Sequence, residues 1–179
     1  DGDIVGFDMD LMKAIAKDQG FKVEFESLEF DALIPALKSD STDIVIAGMN
    51  VTPERAKQVA FSDPYYKTGI VVLVKKDNTT ITGWDSFTSG SGLKVAAQTG
   101  TSQADIAEQL KKEGKISKAT ILNQNTTALQ QLENGDVDAV LVDKPVAVDI
   151  VASQGAKYKV VGDMKTDSVA DVAIAVKTD

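Results

Sequence analysis

A group of residues suited to bind a carboxylate occurs in the segment AGMNVTPER, residues 47–55. Gly48 follows an apolar run, and a glycine just past a buried strand lets a ligand approach the backbone. Thr52-Pro53 is typical of a helix start, whose backbone N–H groups favour an anion. Arg55 lies in that first turn, where a guanidinium could hold a carboxylate through two parallel hydrogen bonds. The alternative is that Arg55 is a solvated surface charge, and spacing alone leaves both open.

An acidic group that could bind an ammonium stands at the end of DAVLVD, residues 138–143. Asp143 ends a predicted buried strand and begins a predicted helix. Its carboxylate could receive an ammonium or cap the helix, and the two roles are compatible. Together with Arg55, Asp143 suggests a site for a zwitterion, a molecule that carries both charges.

The segment QTGTSQ, residues 98–103, places a glycine and two hydroxyl groups between a predicted strand and a predicted helix. Thr101 or Ser102 could be an ordinary helix N-cap. Alternatively, the segment supplies a second set of N–H donors to the same anion. The glycine and lysine spacing of a phosphate-binding loop is missing, so the segment does not predict a nucleotide site.

One aromatic residue is a candidate for contact with the side chain of a ligand. Phe30 begins a predicted helix directly after a predicted strand, where its ring could cover such a side chain. The alternative is an ordinary core residue, which the helical spacing to Leu33, Ile34 and Leu37 favours on pattern alone.

The composition excludes several classes of chemistry. The 179 residues contain no cysteine and no histidine, which removes thiol nucleophiles, disulfides, imidazole bases and metal sites built from these residues. We therefore expect no catalytic residue, no metal and no cofactor. The net charge of -8 comes without a basic stripe, which argues against nucleic acid as a partner.

Strands alternate with helices along the chain, which predicts an α/β fold with parallel strands. Apolar residues at helical spacing predict helices at 7–19, 30–38, 102–113, 125–133 and 145–152, with a short helix beginning at Thr52-Pro53. Apolar or alternating runs predict strands at 21–25, 43–47, 69–75, 93–97, 118–122, 137–142, 158–161 and 172–176. Residues 77–92 are polar and rich in turn formers, so we expect mostly loop there.

An internal repeat of one sequence pattern suggests two similar halves. The helix, turn and strand of residues 33–48 match residues 128–143 at a constant offset, although chance could also produce so common a pattern. The match aligns Gly48 with Asp143, just past the carboxyl end of a strand in each half. Open α/β sheets bind ligands at such ends. We therefore expect two α/β lobes that each contribute to the site.

Four motifs then occur in the order typical of one family: GFDMDLMKAIAK, AGMNVTPERAKQVAFSDPYYKTG, VAAQTGTSQ and DAVLVDKP. They resemble the bacterial extracellular solute-binding proteins of family 3, which serve importers of polar amino acids. The resemblance covers essentially the whole chain. It implies the two-lobed type II periplasmic-binding-protein fold, here lacking the first strand and the last helix of the family.

The resemblance also implies how the lobes are divided. Residues 1–68 with 170–179 would form lobe 1, and residues 69–169 would form lobe 2. Hinges would lie near 65–69 and 166–170, and the lobes would close on the ligand.

Site roles follow from the same resemblance. Arg55 would clamp the α-carboxylate of the ligand, and Thr101 and Ser102 would add donors to it. Gly48 would offer its carbonyl to the α-ammonium, and Asp143 would pair with that ammonium.

Three further positions complete the implied site. Asn50, where a hydroxyl residue is usual, can bond the ammonium through its amide oxygen. Phe30 would pack on the ligand side chain, and Gln98 stands where a residue that selects this side chain is expected. A glutamine there suits an amide or guanidinium group, so glutamine and arginine are the expected ligands.

The resemblance therefore predicts an extracytoplasmic receptor, in the periplasm or anchored to the outer face of the membrane. Its partners would be a small polar L-amino acid and the membrane permease of an ATP-driven importer. A ligand-sensing receptor domain and a dehydratase of the same fold are the alternatives, since fold does not fix function. The dehydratase is disfavoured, because Asp143 is the one candidate for a general acid and the ammonium already claims it.

Overall fold

The structure, a computed structural model, describes residues 4–178. The chain divides into two compact units: unit 1 comprises residues 1–66 and 171–179, and unit 2 comprises residues 67–170. Residues 1–3 and 179, which belong to the predicted lobe 1, lie outside the described residues. The lobe limits and hinges expected from the sequence remain predictions.

The α-helices are α1 (Phe7–Gln19), α2 (Leu33–Lys38), α3 (Pro53–Ala56), α4 (Ser102–Lys112), α5 (Asn125–Asn134) and α6 (Lys144–Gln154). Short 3-10 turns occur at Phe30–Ala32, Trp84–Ser86 and Thr166–Ser168. The strands are β1 (Ile44–Val45), β2 (Ala60–Phe61), β3 (Tyr66–Thr68), β4 (Ile70–Lys75), β5 (Lys94–Gln98), β6 (Lys118–Leu122), β7 (Ala139–Asp143), β8 (Tyr158–Val161), β9 (Ala170–Val172) and β10 (Ala175–Val176).

Unit 1 is built around a small antiparallel sheet in the order β1-β10-β2. Leu37 and Met49 are fully buried against it, and each contributes about 1.5–3 kcal/mol of hydrophobic free energy. Helix α1 ends where the sequence predicts, because Gly20 adopts the left-handed conformation (φ 75°) that terminates a helix. The sheet and α2 give the following loop, residues 46–52, a rigid base.

Unit 2 contains a mixed sheet in the order β6-β5-β7-β4-β8. Strands β5, β6 and β7 run parallel, as the sequence predicts, whereas β4 is antiparallel to both of its neighbours. Both faces are covered, so β4 is apolar at successive positions rather than at alternating ones. Its residues Ile70, Val72 and Val74 pack in the cluster that contains residues of α4. Val71 and Leu73 pack in the cluster that contains residues of α5 and α6.

Two predicted strands are wrong. Residues 21–25 are neither helix nor strand, and no strand among the described residues pairs with them. Residues 172–176 do not form one strand: β9 ends at Val172, and β10 begins at Ala175 and belongs to another sheet. Residues 21–25 alternate apolar and polar side chains and residues 172–176 are all apolar, but a strand also requires one continuous hydrogen-bonded neighbour.

Two further features concern the connections and the helices. The segments that pass from one unit to the other include β3 and β9, which pair with each other. Among residues 4–178, none of the helices is long and apolar enough to cross a membrane.

Candidate functional site

In unit 1, Gly48 and Asn50 lie on the loop between β1 and α3, Arg55 lies in α3, and Phe30 begins the 3-10 turn before α2. Gly48 has φ 59°, in the left-handed region that favours glycine. Asn50 forms an isolated bridge with Val172. The residues on either side of Asn50 extend this pairing, because the Val51 N–H donates to the Asp171 carbonyl at 2.8 Å. Asn50 is buried, with 6% of its surface exposed, and the loop is hydrogen-bonded to residues 171–173.

Arg55 is held in place by two contacts inside unit 1. Its Nη1 donates to the backbone carbonyl of Asn50 at 2.6 Å. Its guanidinium carbon lies 5.4 Å from the centroid of the Phe30 ring, which is the geometry of a cation–π contact. The side chain of Thr52 caps α3 and accepts from the Arg55 N–H at 3.2 Å. Arg55 is half-buried and oriented by its neighbours, so it is not a freely solvated surface charge.

Phe30 packs as the core alternative predicts, and its contact with a ligand side chain stays a prediction. It packs against the apolar cluster that contains Leu33 and Leu37, as a core residue would. The same half-buried ring lies under the Arg55 guanidinium. The structure therefore brings Phe30, Asn50 and Arg55 together, with Gly48 on the same loop.

Sequence reasoning missed the partner of Gly48. The carboxylate of Asp8 accepts from the Gly48 N–H at 2.7 Å through Oδ2 and from the Tyr65 hydroxyl at 2.9 Å through Oδ1. Asp8 lies in the first turn of α1, where an acidic residue is usual, so its type and place gave no sign of this contact. Burial, and then the negative charge of Asp8, raise the pKa of Tyr65 above its ordinary value.

In unit 2, the predicted residues lie at or just after the carboxyl ends of the parallel strands β5 and β7. Gln98 is the last residue of β5, and Asp143 is the last residue of β7. Thr101 caps α4 by accepting from the Ala104 N–H at 3.3 Å, and its hydroxyl donates to the Gln98 carbonyl at 2.6 Å. Ser102 is the first residue of α4 and is half-buried. The N-cap interpretation of Thr101 thus agrees with the structure, and a ligand role stays a prediction.

The side-chain amide of Gln98 has a fixed orientation. Its Nε2 donates to the Asn123 carbonyl at 2.9 Å, and its Oε1 accepts from Asn125 Nδ2 at 3.2 Å. These two asparagines follow β6 in the sequence NQN, and the sequence analysis assigned no site role to them. Gln98 therefore belongs to a chain of amides rather than standing alone.

Asp143 occupies the N-cap position of α6, but its side chain makes no capping hydrogen bond. It is half-buried and stands opposite Ile70 in the pairing of β7 with β4. The N-cap alternative therefore applies to the position of Asp143 and not to its carboxylate.

A cavity of about 400 Å³ lies at the end of the unit 2 strands opposite to the end that carries Asp143. It is formed where β4 ends and β8 begins, and it is lined by Lys75, Lys76, Asp77, Glu133, Ala156, Lys157 and Tyr158. Lys157 is paired with Glu133 at 2.8 Å. The cavity contains none of the predicted site residues.

Within residues 4–178, no group of three or more acidic residues could hold a metal ion.

The sequence matches one protein family. The profile of the bacterial extracellular solute-binding proteins, family 3, matches residues 1–140. The arginine-binding extracellular protein ArtP of Bacillus subtilis is 38% identical over 144 residues, which are 80% of this chain and 54% of that protein. The ABC transporter arginine-binding protein 1 of Escherichia coli is 39% identical over 145 residues, which are 80% of this chain and 56% of that protein. The chain thus spans about half the length of these relatives.

Solved structures give the same picture of the fold. An ancestral arginine-binding protein bound to arginine has a TM-score of 0.89 and 41% identity, covering 99% of this chain and 76% of that one. An ancestral arginine-binding protein bound to glutamine has a TM-score of 0.88, with the same identity and coverage. An ancestral amino acid-binding protein described as a precursor of cyclohexadienyl dehydratase has a TM-score of 0.87 and 38% identity, covering 99% of this chain and 74% of that one.

Proposed function

Because this chain belongs to the bacterial extracellular solute-binding proteins of family 3, we propose that it binds a polar L-amino acid. Its fold is the type II periplasmic-binding-protein fold, as its likeness to two-lobed amino-acid-binding proteins shows. Arginine and glutamine are the ligands we favour. The observation that carries the proposal is the Arg55 guanidinium, which the Asn50 carbonyl and the Phe30 ring hold in a defined orientation.

Arg55 is suited to the α-carboxylate of an amino acid. A guanidinium carries N–H donors in a planar fork that matches the two oxygens of a carboxylate. The bond to Asn50 restricts the guanidinium before a ligand binds. Arg55 therefore loses less conformational entropy on binding. Thr101 and Ser102 at the start of α4 are the groups that we assign to the same carboxylate in unit 2.

The α-ammonium requires hydrogen-bond acceptors, which would be neutral oxygens in unit 1 and a carboxylate in unit 2. In unit 1, we assign the carbonyl of Gly48 and the amide oxygen of Asn50 to this role. In unit 2, we assign the carboxylate of Asp143, which is not used to cap its helix. A charge-assisted bond of this type is about twice as strong as one between neutral groups.

Gln98 would select the side chain of the ligand. Because its Nε2 is directed to the Asn123 carbonyl, its Oε1 is fixed as an acceptor. An amide oxygen has two lone pairs, and the bond from Asn125 uses one of them. The other suits an N–H donor, which the guanidinium of arginine and the amide of glutamine both provide. The two relatives named above are described as arginine-binding, and two of the three solved structures are described as bound to arginine and to glutamine.

We further propose that the protein releases its ligand unchanged to the membrane permease of an ATP-driven importer, on the outer side of the membrane. Support comes from the family description and from relatives described as binding proteins of transporters. A dehydratase would need a carboxylic acid to protonate a leaving group. Asp143 is the carboxylate that we place in the site of unit 2, and the ammonium engages it.

The test is a thermal-unfolding screen of the protein against the twenty L-amino acids. A ligand at a hundred times its Kd stabilises the folded state by about 2.7 kcal/mol. For a chain of this size, this raises Tm by roughly 5–10 °C. Arginine and glutamine should give the largest rises, and glutamate should give little because Gln98 Oε1 would oppose its carboxylate. A screen in which no amino acid raises Tm would contradict the proposal.

A further inference from the structure

We propose that Asp8 is a positioning residue, which holds the Gly48 carbonyl in the direction needed to bind the ammonium of the ligand. The inference rests on the proposed function, because Gly48 is the residue assigned to that ammonium. It adds a residue that lies on α1, far from the loop in sequence.

Gly48 needs an external anchor. A glycine has no Cβ, so its backbone angles have little intrinsic preference and the direction of its carbonyl is not fixed locally. An added Cβ at Gly48 would meet no atom within 4 Å, so packing around the residue does not hold it either. The next residue, Met49, is fully buried and fixes one side of Gly48. The 2.7 Å bond from the Gly48 N–H to Asp8 fixes the other side.

The carboxylate of Asp8 is itself held in position. Its second oxygen accepts from the Tyr65 hydroxyl at 2.9 Å. The Tyr65 ring is stacked on that of Phe7, the residue before Asp8, with centroids 6.1 Å apart and planes at 24°. The carboxylate also lies in the first turn of α1, where the helix dipole favours a negative charge. The carboxylate that anchors Gly48 is therefore held by the Tyr65 hydroxyl, whose ring is in turn stacked on Phe7.

A simpler role for Asp8 would be to stabilise the start of α1 and nothing more. Asp10 provides the control, because it lies in the same first turn, carries the same charge and is exposed. A dipole effect would be shared by both residues. A positioning effect belongs to Asp8 alone.

The experiment measures the affinities of wild type, D8A, D8N and D10A for two ligands by calorimetry. The ligands are L-arginine and δ-guanidinovalerate, which is arginine without its α-amino group. Hydrogen exchange of the Gly48 amide, followed by NMR, reports on the anchor without a ligand. Thermal unfolding shows whether each variant is folded.

D8A should weaken arginine binding about tenfold, the value of one well-placed hydrogen bond to a charged group, and δ-guanidinovalerate binding less than about threefold. It should also speed exchange of the Gly48 amide. D8N should restore arginine affinity to within about threefold of wild type. Its Oδ1 can still accept from Gly48, while its Nδ2 donates to the Tyr65 oxygen. D10A should leave both affinities unchanged.

The possible failures are distinct. If wild type binds neither arginine nor any other amino acid, the proposed function fails, and this inference fails with it. If wild type binds arginine but D8A weakens both ligands equally, the proposed function stands and the positioning role is overturned. If D8N loses as much affinity as D8A, the charge of Asp8 matters and its geometry does not, which also overturns the inference.

Discussion

Replacing Arg55 by alanine separates the two roles that the structure gives this residue, in binding and in folding. Its proposed bond to the α-carboxylate is bidentate and partly removed from water. Losing one partner of such a pair costs about 2–5 kcal/mol, so arginine affinity should fall by about 30-fold to several thousand-fold. The carboxylate role predicts a further result: agmatine, which is arginine without its carboxylate, should bind the variant and the wild type equally well.

The stability effect of Arg55→Ala follows from its two contacts inside unit 1. The bond to the Asn50 carbonyl contributes about 1 kcal/mol at a half-exposed position. The contact with the Phe30 ring adds about 0.5–1 kcal/mol. The free energy of unfolding should therefore fall by about 1.5–2 kcal/mol, which lowers Tm by about 3–8 °C. The variant remains folded at room temperature, so its affinity can be measured.

Lys57→Ala is the matched control for Arg55→Ala. Lys57 ends the same short helix, carries the same charge and is exposed. Its loss should change the free energy of unfolding by less than about 0.5 kcal/mol. Arginine affinity should stay within about threefold of wild type, since a surface charge contributes little. Calorimetry that finds near-wild-type arginine affinity in Arg55→Ala, or an equal loss for agmatine, would refute the carboxylate role.

Three more substitutions, and a control for the last of them, test other parts of the structure. Asp143→Asn should weaken binding of arginine by at least about tenfold and leave its analogue without the α-amino group nearly unaffected; equal losses in calorimetry would make Asp143 a structural residue. Asn125→Ala removes the donor that orients Gln98, so the ratio of arginine to glutamate affinity should fall at least about threefold, and an unchanged ratio would contradict the assignment. Gly162→Ala should lower the free energy of unfolding by at least about 2 kcal/mol, because the new Cβ would lie 2.7 Å from the backbone of a facing loop. Gly135 has the same left-handed backbone but open space around it, so Gly135→Ala should lose only about 1 kcal/mol in denaturant unfolding, and equal losses would refute the steric argument.

The family and the fold could be predicted from the sequence because several motifs occur in order, and both predictions are confirmed. The strands of unit 2 were also predictable, since strands covered on both faces are continuous apolar runs. Segment 118–122 has the predicted limits. The errors at 21–25 and 172–176 both concern strand pairing, which is a property of two segments. The pattern of residues 21–25 does not reveal that no described strand pairs with them, and that of residues 172–176 does not reveal that their two ends belong to different sheets.

The site was less accessible to sequence reasoning. Residue types and spacing identified Arg55 and Asp143 as candidates, and their ligand roles remain predictions. The Phe30 ring that contacts Arg55 comes from a distant segment, and the bond from Gly48 to Asp8 joins residues 40 apart in the sequence. An aspartate in the first turn of a helix is so common that its type carries no information about a tertiary contact. The amide chain of Gln98 was missed for the same reason, because asparagine is usual next to a helix start.

The place of β10 in unit 1 has a consequence for the order of folding. Unit 2 is one continuous segment, so all its contacts can form once residue 170 has been synthesised. Unit 1 cannot complete its sheet until β10 arrives, because β10 is the strand between β1 and β2. The loop that carries Asn50 also cannot complete its pairing before then, since its partners are residues 171–173. When unit 2 has folded, the pairing of β3 with β9 brings the two remaining parts of unit 1 together, which shortens the loop that must be closed and reduces its entropy cost. We therefore expect the nascent chain to fold unit 2 first, and a substitution that slows the folding of unit 2 should delay the first appearance of ligand binding.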